Sequence, residues 1–133
     1  MTTRFFVVDD DRHYARLLSY RLEKGKDHDV RVLHSGEEAL EALAHSGAPD
    51  LVLLDIMMPV LDGWFVLAEL AGRAKKPKVI VCSAKSADVD KARARDLGAD
   101  AYVVKPWDPE ALVQTMRDVL AAKHAGTADN LRV

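Results

Sequence analysis

The sequence predicts an α/β fold, a five-stranded parallel sheet doubly wound with helices on both faces, and three observations predict it. Five short runs rich in Val, Leu, Ile and aromatics recur along the 133 residues. Segments with helical period separate them. Three of the five runs are almost continuously apolar, the pattern of strands covered on both faces of a parallel sheet. Strand and helix in alternation imply right-handed crossovers, and a chain of this length fits one domain with a real core.

In chain order, RFFVV at 4–8 is the first strand, and Asp9, Asp10 and Asp11 follow it. Tyr14, Leu18 and Leu22, with Ala15 beside them, form the apolar stripe of the first helix. DVRVL at 29–33 alternates, which suits a sheet edge. SGEE at 35–38 is a capping box, with Ser35 accepting from a backbone N–H while Glu38 reaches back. Leu40, Leu43 and Ala44 are the stripe of the helix it opens. DLVLL at 50–54 is the third strand, and Pro59 with Asp62-Gly63 marks the loop leaving it. Trp64 packs within the next helix. KVIVC at 78–82 and AYVV at 101–104 are the last two strands. Asp108 is an N-cap with Pro109 at the first helical position, opening the fifth helix. Residues 123–133 carry little apolar content and read as a flexible tail, so the folded domain is expected over 1–122.

Composition narrows the function. Hydrophobic residues at 49% and charged residues at 30% describe a globular chain. No apolar run approaches the roughly 20 residues needed to cross a bilayer. MTTRFFVV reaches carboxylates too soon for a signal peptide, so a cytoplasmic protein without membrane contact is expected. Cys82 is the only cysteine, which excludes an intrachain disulfide, and its apolar neighbours predict an inert thiol. With 19 basic and 21 acidic residues, the net charge of -2 gives no field that would draw the domain onto nucleic acid.

In a doubly wound sheet the ligand sits beyond the carboxyl ends of the strands. There the sequence sets Asp9, Asp10 and Asp11 after the first strand, Asp55 after the third, Ser83 after the fourth and Lys105 after the fifth. Two carboxylates about 4 Å apart repel by roughly 4 kcal/mol at an effective dielectric near 20, so this cluster calls for a cation. All-oxygen ligands favour Mg2+, with Mn2+ able to substitute. Side chains alternate along an extended segment, so the three N-terminal aspartates cannot all face one crevice. A metal ion, an ammonium and a hydroxyl around Asp55 suit a phosphoryl group, and a carboxylate can serve as nucleophile to form an acyl phosphate. Taken alone, Asp55 would read as a helix N-cap.

Four separated motifs, VVDDD at 7–11, LLDIMMPVLDG at 53–63, VCSA at 81–84 and VVKP at 103–106, resemble the receiver domain of two-component response regulators over about residues 3–122. The resemblance implies a flavodoxin-like sheet of order 2-1-3-4-5 and a phosphoacceptor signalling module, not an enzyme in the ordinary sense. It implies that Asp55 accepts a phosphoryl group from a sensor histidine kinase or a histidine phosphotransfer protein. Asp10, Asp55 and the backbone carbonyl of Met57 would hold Mg2+ directly, with Asp9 acting through water. Lys105 and Ser83 would contact phosphoryl oxygens, Ser83 and Tyr102 would form the switch, and Lys105-Pro106 would be cis. Asp11 then starts the first helix. Met57 and Lys85 occupy the positions that tune acyl-phosphate hydrolysis, and neither can position a water as a carboxamide or carboxylate would, so slow self-dephosphorylation is expected. The output surface would be the fourth helix, fifth strand and fifth helix, meeting a downstream protein or a second copy in a phosphorylation-dependent homodimer. The first helix, with Arg12, Arg16 and Arg21, would face the kinase. About a dozen residues follow the fifth helix, too few for a DNA-binding or catalytic output domain, so either a single-domain regulator acting by protein contact or a receiver cut from a longer protein is expected.

Blander assignments stand beside these. Ser83 could merely end a strand and Tyr102 could be half-buried edge packing. Met57 and Met58 suit packing, and His13, His28, His34, His45 and His124 lack metal-ligand spacing and read as surface residues. Trp107 is expected to be partly exposed at a partner surface. The rival function is a haloacid-dehalogenase-type phosphatase with Asp9 as nucleophile in an Asp-x-Asp pair with Asp11, but VCSAKSA lacks the acidic pair such an enzyme needs. A flavin-phosphate binder would meet three repelling carboxylates in its first loop. A degenerate receiver that only docks partners would not keep the full set of Asp9, Asp10, Asp55, Ser83 and Lys105.

Overall fold

A computed structural model describes residues 2–25, 27–106 and 108–122. Its elements alternate as β1 (Thr3–Val8), α1 (Arg12–Glu23), β2 (His28–Leu33), α2 (Gly36–Ser46), β3 (Leu51–Leu54), α3 (Gly63–Ala71), β4 (Lys78–Ser83), α4 (Asp88–Asp96), β5 (Ala101–Val104) and α5 (Pro109–Ala121). All strand pairs are parallel, in the order β2-β1-β3-β4-β5. The alternating DVRVL segment lies at an edge, as its pattern predicts.

Each face of the sheet has its own core. Phe6, Val8, Val52, Leu54, Val79 and Val81 point to the face covered by α2, α3 and α4. Phe5, Val7, Leu51, Leu53 and Ile80 point to the face covered by α1 and α5. The period of two sends neighbouring residues to opposite cores, which is why these strands are apolar throughout.

Side-chain caps set most helix starts. Asp11, Ser35, Asp62 and Asp108 each accept from a backbone N–H in the first turn of the following helix. In the Ser35 box, the Glu38 N–H donates to Ser35 Oγ (3.1 Å), and the Ser35 hydroxyl in turn donates to the Glu38 carboxylate (3.2 Å). Helix α4 lacks a side-chain cap and buries only Ala94 among its residues.

Register then positions the site. Val8 pairs with Leu54, and the Asp55 N–H donates to the Val8 carbonyl at 2.9 Å, so Asp9 and Asp55 leave adjacent strands side by side. This is also where the order of connection reverses, with β2 on one side of β1 and β3 on the other.

Several expectations need correction. Ala44 is exposed, while Ala39 and Ala42 are buried with Leu43, because Ala44 lies about 100° further round the helix than Leu43. His28 and His34 are not free surface residues. His28 is half-buried, with Nδ1 3.0 Å from the Leu22 carbonyl and its ring edge on Phe5, and His34 is half-buried with Nδ1 3.2 Å from the Asp9 carbonyl. Ser83 ends β4 from within, and Tyr102 is wholly buried. Trp64 packs in its helix as expected, under the Arg93 guanidinium at 4.2 Å. Cys82 is buried, and burial pushes its thiol up to about 12, which makes it inert. Trp107, His124 and the tail at 123–133 lie outside the described residues. Among the described residues no helix is long and apolar enough to cross a membrane.

Candidate functional site

The three consecutive aspartates divide as strand geometry requires. Asp9 is buried and Asp10 exposed. Asp11 caps α1, its Oδ1 accepting from the N–H groups of His13 (3.0 Å) and Tyr14 (3.2 Å), while its own N–H donates to Asp9 Oδ1 (2.9 Å). Asp11 therefore builds the helix that walls the crevice, and Asp9 and Asp10 face Asp55.

Asp55 stands at the end of the wholly buried LVLL strand and is itself buried. The Met57 N–H donates to its Oδ1 at 3.2 Å, while the Met57 side chain is 53% exposed. The loop folds back so closely that a Cβ on Gly63 would lie 2.3 Å from the Asp55 carbonyl oxygen and 2.5 Å from Ile56 Cα. Only glycine allows that approach.

Lys105 joins the acids. Its Nζ lies 2.7 Å from Asp9 Oδ2, 3.5 Å from Asp55 Oδ2 and 5.1 Å from the Tyr14 ring centroid. The Lys105 N–H donates to the Ser83 carbonyl at 2.8 Å, and the Lys105-Pro106 peptide is cis. Ser83 is fully buried, its Oγ accepting from the Lys85 N–H at 3.1 Å and lying against the Tyr102 phenol. The Tyr102 hydroxyl donates to the Lys85 carbonyl at 2.8 Å, so the ring is held inward. A crevice of about 450 Å3 opens between Asp10, Tyr14, Asp55, Met57, Ala84 and Lys105.

Charge in the crevice is unbalanced. Asp9, Asp10 and Asp55 each offer a carboxylate oxygen, all within 4.8 Å of one another. Burial and then the neighbouring Asp9 charge raise Asp55 from 3.8 to about 7, outweighing the lowering by Lys105. Burial alone would lower Lys105, but its hydrogen bond to Asp9 and the two carboxylate charges win and raise it. One ammonium against three carboxylates leaves negative charge uncompensated. An all-oxygen donor set with that surplus fits a divalent cation.

With this geometry established, comparison with known proteins decides the family. The response regulator receiver domain model matches residues 5–117. The chain belongs to that family. It is thus a phosphoacceptor module of two-component signalling and not a classical enzyme, and the acidic triad with Lys105 is the type of pocket receivers use to hold a divalent metal. The dehalogenase alternative falls with this match. Asp11, spent as a helix cap, also leaves Asp9 without an Asp-x-Asp partner.

Among relatives, the receiver chain is 36% identical over 120 residues to the alkaline phosphatase synthesis transcriptional regulatory protein PhoP of Bacillus subtilis, covering 90% of this chain and 49% of that protein. The chain thus spans about half the length of this curated relative. The BeF3-activated receiver domain of DrrB, a Thermotoga maritima protein, superposes with a TM-score of 0.83 at 28% identity over 92% of this chain and all of that one. The BeF3-activated N-terminal receiver domain of Klebsiella pneumoniae RstA does so with a TM-score of 0.81 at 31% identity, over 90% of this chain and 100% of that chain.

Sequence reasoning missed two neighbours of the site. Tyr14 was assigned to the apolar stripe, yet its ring also lies beneath the Lys105 ammonium. Its place three residues after Asp11, on the first turn of a helix leaving the acids, is the signal that could have found it. His34 holds the Asp9 carbonyl from the end of β2, and nothing in its sequence neighbourhood points there.

Proposed function

We propose that Asp55 accepts a phosphoryl group from the phosphohistidine of a sensor histidine kinase or histidine phosphotransfer protein, in a receiver domain spanning 1–122. A carboxylate oxygen of Asp55 attacks phosphorus, the P–N bond breaks, and the released imidazole nitrogen takes up a proton. The observation that carries this reading is the burial of Asp55 within 3.5 Å of the Lys105 ammonium and beside Asp9 and Asp10. Mg2+, replaceable by Mn2+, would be held by Asp10, Asp55 and the Met57 carbonyl, with Asp9 acting through water. When bound, it supplies positive charge against the phosphoryl oxygens. Lys105 pairs with one phosphoryl oxygen and Ser83 hydrogen-bonds another.

The signal is a population shift. A tetrahedral, more negative group on Asp55 draws Ser83 toward it, which favours the inward Tyr102 and re-forms the surface of α4, β5 and α5. Moving such an equilibrium from 1:99 to 99:1 needs about 5.5 kcal/mol, within reach of several charge-assisted contacts. That surface meets a downstream protein or a second copy of the chain, in the cytoplasm and without direct contact to nucleic acid. Exposed Arg12 and Arg16 on α1 face the kinase, while Arg21 pairs with Glu110 of α5. Met57 and Lys85 offer no group to position an attacking water, so the acyl phosphate is long-lived. A half-life of seconds would contradict that.

The decisive experiment incubates the protein with acetyl phosphate or phosphoramidate and Mg2+ and maps the added mass. Label on Asp55, absent without a divalent ion and absent from Asp55→Asn, is expected. Label elsewhere, or equal label in chelator, overturns the assignment.

A further inference from the structure

We propose that the cleft between α1 and α5, at the end of the sheet opposite Asp55, binds a small organic anion with an apolar body. The cleft encloses about 290 Å3, at the lower end of the range for small-molecule sites. Its floor is apolar, made by Phe5 at the start of β1, Leu22, Met116 and Leu120. Arg21, Lys24 and Arg117 line it as well, and no acidic residue among the described residues does, in a chain whose net charge is -2.

The wall between floor and rim is fixed. His28 Nδ1 lies 3.0 Å from the Leu22 carbonyl, and its ring meets Phe5 edge-on at 4.9 Å between centroids. Gly25 admits that ring, since a Cβ there would lie 2.1 Å from it. Of the cations, Arg21 is paired with Glu110, and the Lys24 ammonium lies 4.6 Å from the Tyr20 ring centroid. Arg117 has no ion pair among the described residues.

This arrangement selects its occupant. An apolar body gains by covering the floor, and an anionic head gains from the rim cations. A bare inorganic anion would leave the floor unused, and a neutral hydrocarbon would leave the rim unused. The site stands apart from the phosphoacceptor crevice in both position and chemistry, so it stands or falls independently of the Asp55 assignment.

The test titrates 8-anilinonaphthalene-1-sulfonate into the full chain, reading fluorescence and backbone amide shifts by NMR. One saturable site is expected, with Kd on the order of 10–100 µM from the usual ligand efficiency of drug-sized molecules. The largest shifts are expected at Phe5, Gly25, Val113 and Arg117. Arg117→Glu should weaken binding roughly tenfold or more. Arg95→Glu on α4, with the same change of net charge, should leave it within about twofold. Val113→Trp, which fills the cleft, should abolish binding without relying on charge. Displacement by naphthoate or by decanoate distinguishes an aromatic from an alkyl body, and either supports the site. Shifts centred elsewhere, equal loss from both charge reversals, or inorganic phosphate moving the same amides as strongly would overturn it.

Discussion

Val60, in the loop leaving Asp55, combines a φ of 67° with 95% exposure. A β-branched residue in the left-handed region is strained by about 1–2 kcal/mol, and an exposed side chain recovers little by packing. Val60→Gly should therefore stabilise the fold by about 1 kcal/mol after the entropic cost of glycine, read as a higher urea midpoint at unchanged slope. A lower midpoint would show that Val60 is not strained. Asp55 behaves in the opposite sense to a salt-bridged acid. Its folded pKa of about 7 lies above its ordinary value of 3.8, so the native state holds the extra proton between those limits. Stability of the metal-free protein should accordingly fall as pH rises from about 4 through about 7, by up to a few kcal/mol. Asp55→Asn should flatten that slope and be more stable than the parent at pH 8 without metal. Denaturant midpoints across the pH range decide it, and parallel profiles for the two proteins would refute the cause.

At the scale of elements, α1 and α4 are held in contrasting ways. Helix α1 buries Ala15, Leu18, Ser19 and Leu22 and is capped by Asp11, whose carboxylate accepts two N–H bonds. Asp11→Ala should cost about 1 kcal/mol and loosen the first turn, including Tyr14 under Lys105, as seen by hydrogen exchange at His13 and Tyr14. Helix α4 buries only Ala94 and lacks a side-chain cap, so the Arg93 guanidinium on Trp64 is a main tie to α3. Arg93→Ala should raise exchange across α4 severalfold while leaving α1 unchanged, a cation–π contact of this kind being worth about 0.5–2 kcal/mol. Equal protection in both proteins would mean that the stack does not hold the helix. Lys78 shows a tie of another kind. This buried lysine reaches from β4 to the carbonyls of Val119 and Ala122, satisfying the end of α5 from across the sheet.

For the whole molecule, the proposed divalent ion and protons would compete for the same carboxylates. At pH 5 Asp55 must give up a proton before a divalent ion can use it, whereas at pH 8 it is already ionised. Saturating Mg2+ should therefore raise the melting temperature more at pH 8 than at pH 5. At 100 times Kd the gain at the higher pH is about 2.7 kcal/mol. Differential scanning calorimetry with and without chelator measures this, and an equal shift at both pH values would detach the metal from Asp55. Much of this site was legible beforehand. Asp9, Asp10, Asp55 and Lys105 were found because strand ends in an alternating fold converge, a rule that needs only the order of elements. Tyr14 and His34 were not, because each meets the site through a neighbour distant in sequence.

By itself the sequence determined the alternation of strand and helix, the parallel sheet and the set of charged groups at its carboxyl end. Those follow from periodicity and residue type, which are local. Only the tertiary structure decided that Asp9 takes the Lys105 ammonium, that Ser83 and Tyr102 share the Lys85 backbone, and that cationic residues line an apolar cleft at the far end. Those depend on register and on helices packing across the sheet, where a distance of a few ångströms decides which partner a side chain finds.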